Sequence, residues 1–217
     1  LILWGMFKKV VVADSLSLQV DFFFNNYQTL NGGLLFLGLV YFSLQIYCDF
    51  SGYSDIAIGI AKLFGINLMT NFNYPYFSTN IAEFWRRWHI SLSTWFRDYM
   101  YIPFGGSKMG KWNTIRNIFI IFIISGFWHG ANWTFIAWGL CHAIMYISFF
   151  LFTRNKIDIE NSVYKKGWLP SFTELIQIVI TFIFITLPWV FFRSNNLIIS
   201  FEYLLNMITK FTMPTID

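Results

Sequence analysis

Apolar residues run through this chain in long blocks, separated by short polar joints. The first strong block covers about Leu34 to Cys48, and a second, "IAIGIAKLFGI" (56–66), follows the polar insert "DFSGYSD" (49–55). Gly52 within that insert predicts a break between the two blocks. Two more blocks, 117–128 and 133–152, flank the stretch "SGFWHGANWTF" (125–135), and another, "LIQIVITFIFITLPWVFF", occupies about 175–192. Pro188 should kink that last helix near its end. The opening residues, "LILWGMFKKVVVADSLSLQVDFFF" (1–24), are interrupted by Lys8, Lys9, Asp14 and Asp21 too often for a clear crossing, and read as an interfacial or partly inserted helix. Residues 71–116 are too polar to cross lipid and too rich in rings for an ordinary loop, so short interfacial or re-entrant helices suit them. Residues 153–167 read as a charged connector, and 194–211 as a short amphipathic tail. The pattern predicts an all-α, polytopic helical membrane protein, with 1–217 forming one membrane-embedded region.

Composition supports that class. Of 217 residues, 56% are hydrophobic, 22% aromatic and only 12% charged, where a soluble domain carries about 25% charge. Mean hydropathy is +0.53. The net charge of +4 does not argue for nucleic acid, because the basic residues sit between apolar blocks, where they meet anionic headgroups and set topology. Cys48 and Cys141 lie in apolar surroundings and read as small core residues rather than as a disulfide or zinc site.

Orientation follows from charge. From Glu83 to Arg116 there are six basic residues (Arg86, Arg87, Arg97, Lys108, Lys111, Arg116) against two acids, Glu83 and Asp98, which predicts a cytoplasmic location for this segment. From Asn117 a helix would rise about 18 Å by Trp128 at 1.5 Å per residue, against a hydrocarbon core about 30 Å thick. His129 would then stand well inside the membrane. An ionisable group at that depth is costly unless it meets a partner or a water-filled cavity. It reads either as a neutral imidazole joining two helices by hydrogen bonds or as a general base. In the second case Gly130 and Ala131 would leave room for a substrate, with Trp128 beside it, and Asn132 would orient the ring or donate to a developing oxyanion.

Other polar residues keep two readings each. His89, in "EFWRRWHISLSTWFRDY" (83–99), is either an interfacial anchor, with Arg86 and Arg87 on lipid phosphates, or part of a helix face with Trp85 and Leu92 lining the mouth of a tunnel. His142 reads as structural. Asp49 and Asp55 serve either as structural carboxylates, satisfied by backbone or arginine, or as cavity lining. The three histidines show no metal-ligand spacing, so no metal site is expected.

Four stretches resemble one family: "LWGMFKKVVVADSL" (3–16), "LQIYCDFSGYSDIAIGIAKLFGI" (44–66), "NFNYPYFSTNIAEFWRRWHISLSTWFRDYMYIPFGG" (71–106) and "GFWHGANWTFIAWGLCH" (126–142). They are similar to membrane-bound O-acyltransferases, nearest the branch of the bacterial alginate O-acetyltransferase membrane subunit. The motif-bearing resemblance covers most of 3–152, with 153–211 fitting by hydropathy alone. It implies helices around a tunnel, and a chain that corresponds to the C-terminal part of a longer protein. It matches His129 to the catalytic histidine and His89 to a second functional histidine on the cytoplasmic side. It also implies acyl transfer from a cytoplasmic thioester, acetyl-CoA or an acyl carrier protein, with no tightly bound cofactor. The acceptor would be a hydroxyl of an exported cell-envelope polysaccharide or a periplasmic or extracellular partner protein, and the location the inner or plasma membrane.

Two rivals stand beside acetyl transfer. D-alanyl transfer to teichoic acid would use a carrier protein as donor. A proton-coupled transporter would show inverted repeats and chains of paired ionisable residues across helices, and neither pattern is visible. A purely structural membrane subunit offers no reason for a Trp-His-Gly triplet at depth.

Overall fold

The computed structural model describes residues 1–152 and 170–211. Among the described residues there are helices and no strands, the all-α architecture expected from the apolar blocks. Three helical stretches are long and apolar enough to cross a membrane: Gly32–Leu63, Trp133–Phe152 and Phe172–Arg193. The charged connector expected at 153–167 lies outside the described residues. The chain divides into two compact units, Leu1–Thr70 with Trp189–Asp217, and Asn71–Pro188.

In the first unit α1 (Ile2–Met6), a π-helical stretch (Phe7–Ala13) and α2 (Asp14–Asn25) follow one another against α3 (Gly32–Leu63). The break expected at 49–55 does not exist, because α3 runs through it. Its two carboxylates are instead neutralised across the helix pair. Lys9 Nζ lies 2.6 Å from Asp49, and Lys8 Nζ lies 2.8 Å from Asp55 and donates to Ser51 Oγ at 2.9 Å. Gly52 serves close approach rather than a turn: a Cβ there would stand 2.7 Å from the Gly5 carbonyl oxygen. Small residues at a crossing let two helices pack where lipid supplies no hydrophobic drive. Asp49 is thus a partner of Lys9 in this unit, and the lysines, not arginine, satisfy both acids.

Pro188, which lacks an N–H, separates α8 (Phe172–Thr186) from α9 (Trp189–Arg193), as its position predicts. The tail forms α10 (Leu197–Thr209). Its Tyr203 is fully buried, stacks on Phe24 at 4.5 Å, and donates its hydroxyl to the Leu35 carbonyl at 2.7 Å.

The second unit is built on an antiparallel hairpin of α6 (Lys111–His129) and α7 (Trp133–Phe152). Glycines bring the two backbones together. A Cβ at Gly126 would lie 2.4 Å from the Phe135 carbonyl oxygen, and one at Gly139 would lie 2.3 Å from that of Phe122. Ile118, Phe122 and Ala143 form the core between them, with Trp85, Tyr101, Tyr146 and Ile147 against it. The expected short helices occupy the segment before α6: a 3-10 turn (Pro75–Phe77), α4 (Ile81–Arg87), α5 (Ile90–Phe96) and a π-helical stretch (Arg97–Tyr101).

Candidate active site

The stretch 83–99 does not form the single helix that its spacing predicts. α4 ends at Arg87 and α5 begins at Ile90, with His89 between them in the left-handed conformation, φ 45° and ψ 57°. For a residue with a Cβ that conformation costs on the order of 1–2 kcal/mol, so neighbouring contacts must hold it. They come from the start of the unit. Asn73 N–H donates to the Arg87 carbonyl at 3.0 Å, and Ile90 N–H donates to the Asn71 carbonyl at 3.0 Å. Asn71 Oδ1 accepts from both the backbone N–H (3.1 Å) and the hydroxyl (2.6 Å) of Ser91. Between these bonds the Phe72 ring meets Trp88 edge-on at 5.1 Å.

Arg87 is not a lipid-phosphate ligand, as the sequence reading allowed. It is buried, and its Nη2 donates to Glu83 Oε1 at 2.7 Å. The second Glu83 oxygen accepts from Thr79 N–H at 2.7 Å and from the Thr79 hydroxyl at 2.8 Å. A buried pair satisfied in this way is costly to break, about 3–5 kcal/mol if one partner is removed. It anchors the helix that leads into His89.

His129 is the last residue of α6. Its ring lies 5.1 Å from Trp138 with the planes at 86°, 5.0 Å from Trp128, and 6.3 Å from Phe135. Trp128 also faces His89, with ring centroids 6.2 Å apart. One indole therefore touches both imidazoles. The sequence reading set His89 at a cytoplasmic level about 18 Å of helix rise away from His129. That separation is overturned, because the break after Arg87 turns the chain so that His89 packs beside the far end of α6. Burial pushes His89 down to about 4, so its imidazole is neutral at physiological pH, able to donate from one nitrogen and accept at the other.

The remaining candidates divide. Trp128 is 57% exposed and bridges the two histidines. Gly130 lets the Phe135 ring pack closely, since a Cβ there would stand 2.7 Å from it. Asn132 Oδ1 accepts from Thr134 N–H at 3.1 Å, capping α7, which holds the amide in place; its Nδ2 is the group able to donate to an oxyanion. Asp49 belongs to the other unit. His142 is fully buried, packed 4.9 Å from Trp85 and 5.0 Å from Trp138, a wall residue behind the site. Among the described residues no group of three or more His, Cys, Asp or Glu stands together as metal ligands would.

Sequence reasoning missed Trp138, which touches both His129 and His142, and Asn71, which grips the chain just after His89 while Asn73 binds just before it. Trp138 follows His129 by nine positions across a helix connection, so no periodicity relates them. The Asn-rich run "NFNYP" (71–75) marked a turn, but nothing local says which distant backbone it would bind.

The chain is similar to a peptidoglycan O-acetyltransferase of Helicobacter pylori, 42% identical over 204 residues, which cover 94% of this chain and 37% of that protein. It is also 42% identical over 193 residues to a probable alginate O-acetylase of Pseudomonas aeruginosa, covering 89% of this chain and 35% of the relative. A teichoic acid D-alanyltransferase of Bacillus subtilis is 37% identical over 163 residues, covering 71% of this chain and 40% of the relative. The chain thus spans little more than a third of the length of the first of these curated relatives. The membrane-bound O-acyltransferase family profile matches residues 3–193, extending the similarity past the motif-bearing 3–152 and through α8. With two histidines packed on one tryptophan and three stretches able to cross lipid, this is a membrane protein, and it belongs to the membrane-bound O-acyltransferase family.

Proposed function

We propose that this chain carries the reaction centre of an O-acetyltransferase that modifies an exported cell-envelope polysaccharide. The observation that carries the reading is the packing of both His89 and His129 against Trp128. Neutral imidazole at His129 takes the proton of an acceptor hydroxyl as that oxygen attacks the carbonyl carbon of a thioester. A new C–O bond forms, the carbonyl electrons move to oxygen, and on their return the C–S bond breaks. The departing thiolate takes the proton held on His129, so the histidine ends neutral. His89, at the same level, donates a hydrogen bond to the carbonyl oxygen or orients the acceptor. Trp138, which is buried, and Phe135 wall one side of His129 and limit water there, which would otherwise hydrolyse the thioester.

The donor in this reading is a cytoplasmic thioester, acetyl-CoA or an acylated carrier protein, reached through the basic segment before α6. The acceptor is a polysaccharide hydroxyl, or a partner protein outside the membrane that passes the acetyl group on, and the membrane is the inner or plasma membrane. Acetyl transfer is favoured over D-alanyl transfer because the two O-acetyl-transferring relatives match at 42% over most of the chain, whereas the D-alanyltransferase matches at 37% over 71% of it. The test uses sealed inverted vesicles bearing the full-length protein and acetyl-CoA labelled in the acetyl group. Label should pass to lumenal polysaccharide or partner protein, and transfer of D-alanine from its carrier with no acetyl transfer would decide for the rival.

A further inference from the structure

His89 occupies the residue before α5, the position from which Ser, Thr, Asp or Asn usually caps a helix, yet its side chain makes no capping bond. The first two N–H groups of α5 are satisfied from elsewhere. Ile90 N–H donates to the Asn71 carbonyl at 3.0 Å, and Ser91 N–H donates to Asn71 Oδ1 at 3.1 Å. Ser91 Oγ adds a 2.6 Å bond to the same oxygen. Asn71 thus caps α5 from nineteen residues before its first residue, and the residue at the cap position turns its ring to Trp128 instead. The left-handed φ of 45° at His89 makes this arrangement strained by itself, so its orientation depends on what grips Ile90 and Ser91.

We propose that Asn71 is a positioning residue for His89: it supplies the helix cap that His89 forgoes, and so frees and aims the imidazole at the site shared with His129. The proposal rests on the reading of His89 as part of the acyl-transfer site. Asn71 reaches His89 through the backbone of residues 90 and 91 and the Ser91 hydroxyl.

The test follows the reactivity of each histidine in the full-length protein in membranes. Diethyl pyrocarbonate, which acylates neutral imidazole, is applied at pH 7.5 and each histidine-bearing peptide is quantified by mass spectrometry. In Asn71→Ala the His89 rate should rise roughly five- to tenfold, the modest weight of the two hydrogen bonds that Asn71 Oδ1 accepts, while buried His142 stays protected. Acyl transfer should fall by a similar factor in kcat. Asn71→Asp keeps both acceptors and should stay within about twofold of the wild type in both readouts. An unchanged His89 rate in Asn71→Ala, or a loss in Asn71→Asp as large as in Asn71→Ala, overturns the proposal. Should His142 open as well in Asn71→Ala, Ser91→Ala decides, since it removes only the 2.6 Å hydroxyl bond. The proposal then requires a faster His89 with His142 still protected, and no change at His89 overturns it. A shifted His89 rate with wild-type acyl transfer would uphold the positioning role and overturn the functional reading of His89.

Discussion

The His129 imidazole meets the Trp138 indole edge-on, 5.1 Å between centroids with the planes at 86°. Trp138 is 1% exposed and also packs against Trp85 at 5.8 Å and His142 at 5.0 Å, so one side chain joins the catalytic candidate to the core of the α6–α7 hairpin. Trp138→Ala should therefore destabilise the protein by about 3–5 kcal/mol through the cavity it leaves. Trp138→Phe, which keeps an aromatic edge, should cost less and retain part of the acyl transfer. Thermal unfolding in detergent alongside transfer assays at matched protein levels checks both. A Trp138→Ala variant as stable and active as the wild type would remove Trp138 from this role.

His129→Ala in the full-length protein should lower acyl transfer by roughly 10²- to 10⁴-fold, the usual weight of a general base, with membrane levels unchanged. His89→Ala should also reduce transfer without changing which hydroxyl is acylated. Because both rings face Trp128, the double variant should be little worse than His129→Ala alone, as effects within one catalytic unit are not additive. Multiplying losses in the double variant would mean that the two histidines work independently.

The burial that pushes His89 down to about 4 has a direct consequence for pH. An exposed histidine titrating near 6.5 loses about nine-tenths of its neutral form between pH 7.5 and 5.5, and its diethyl pyrocarbonate rate falls accordingly. His89 should keep a nearly constant rate over that interval and lose it only toward pH 4. A tenfold fall by pH 5.5 would show that its ring is solvated.

The connection before α6 should face the cytoplasm. Of the six cations between Glu83 and Arg116, Arg87 is neutralised by Glu83 and Arg97 pairs with Asp98 at 2.7 Å. Arg86, Lys108, Lys111 and Arg116 still carry the positive bias. A single cysteine at exposed Ser107, in a background lacking Cys48 and Cys141, should resist an impermeant thiol reagent in intact cells and react after lysis. Labelling in intact cells would reverse the topology and the donor route with it.

Much of this protein was legible along the chain. Apolar blocks marked the membrane class because lipid selects length and hydropathy locally, and Pro188 ended α8 because a missing N–H acts where it stands. The motifs around His89 and His129 carried the family. Other features depended on partners remote in sequence. Gly52 between Asp49 and Asp55 looked like a break, yet Lys9 and Lys8 neutralise the two acids across the helix pair and α3 runs straight through. Residues 83–99 have a helical pattern throughout, yet the chain turns at His89, because Asn71 and Asn73 bind the backbone on either side of it. Composition and spacing determined the class, the crossing segments and the histidines. Tertiary packing alone brought those histidines to one tryptophan, because a helix break pinned from eighteen residues away leaves no period in the sequence.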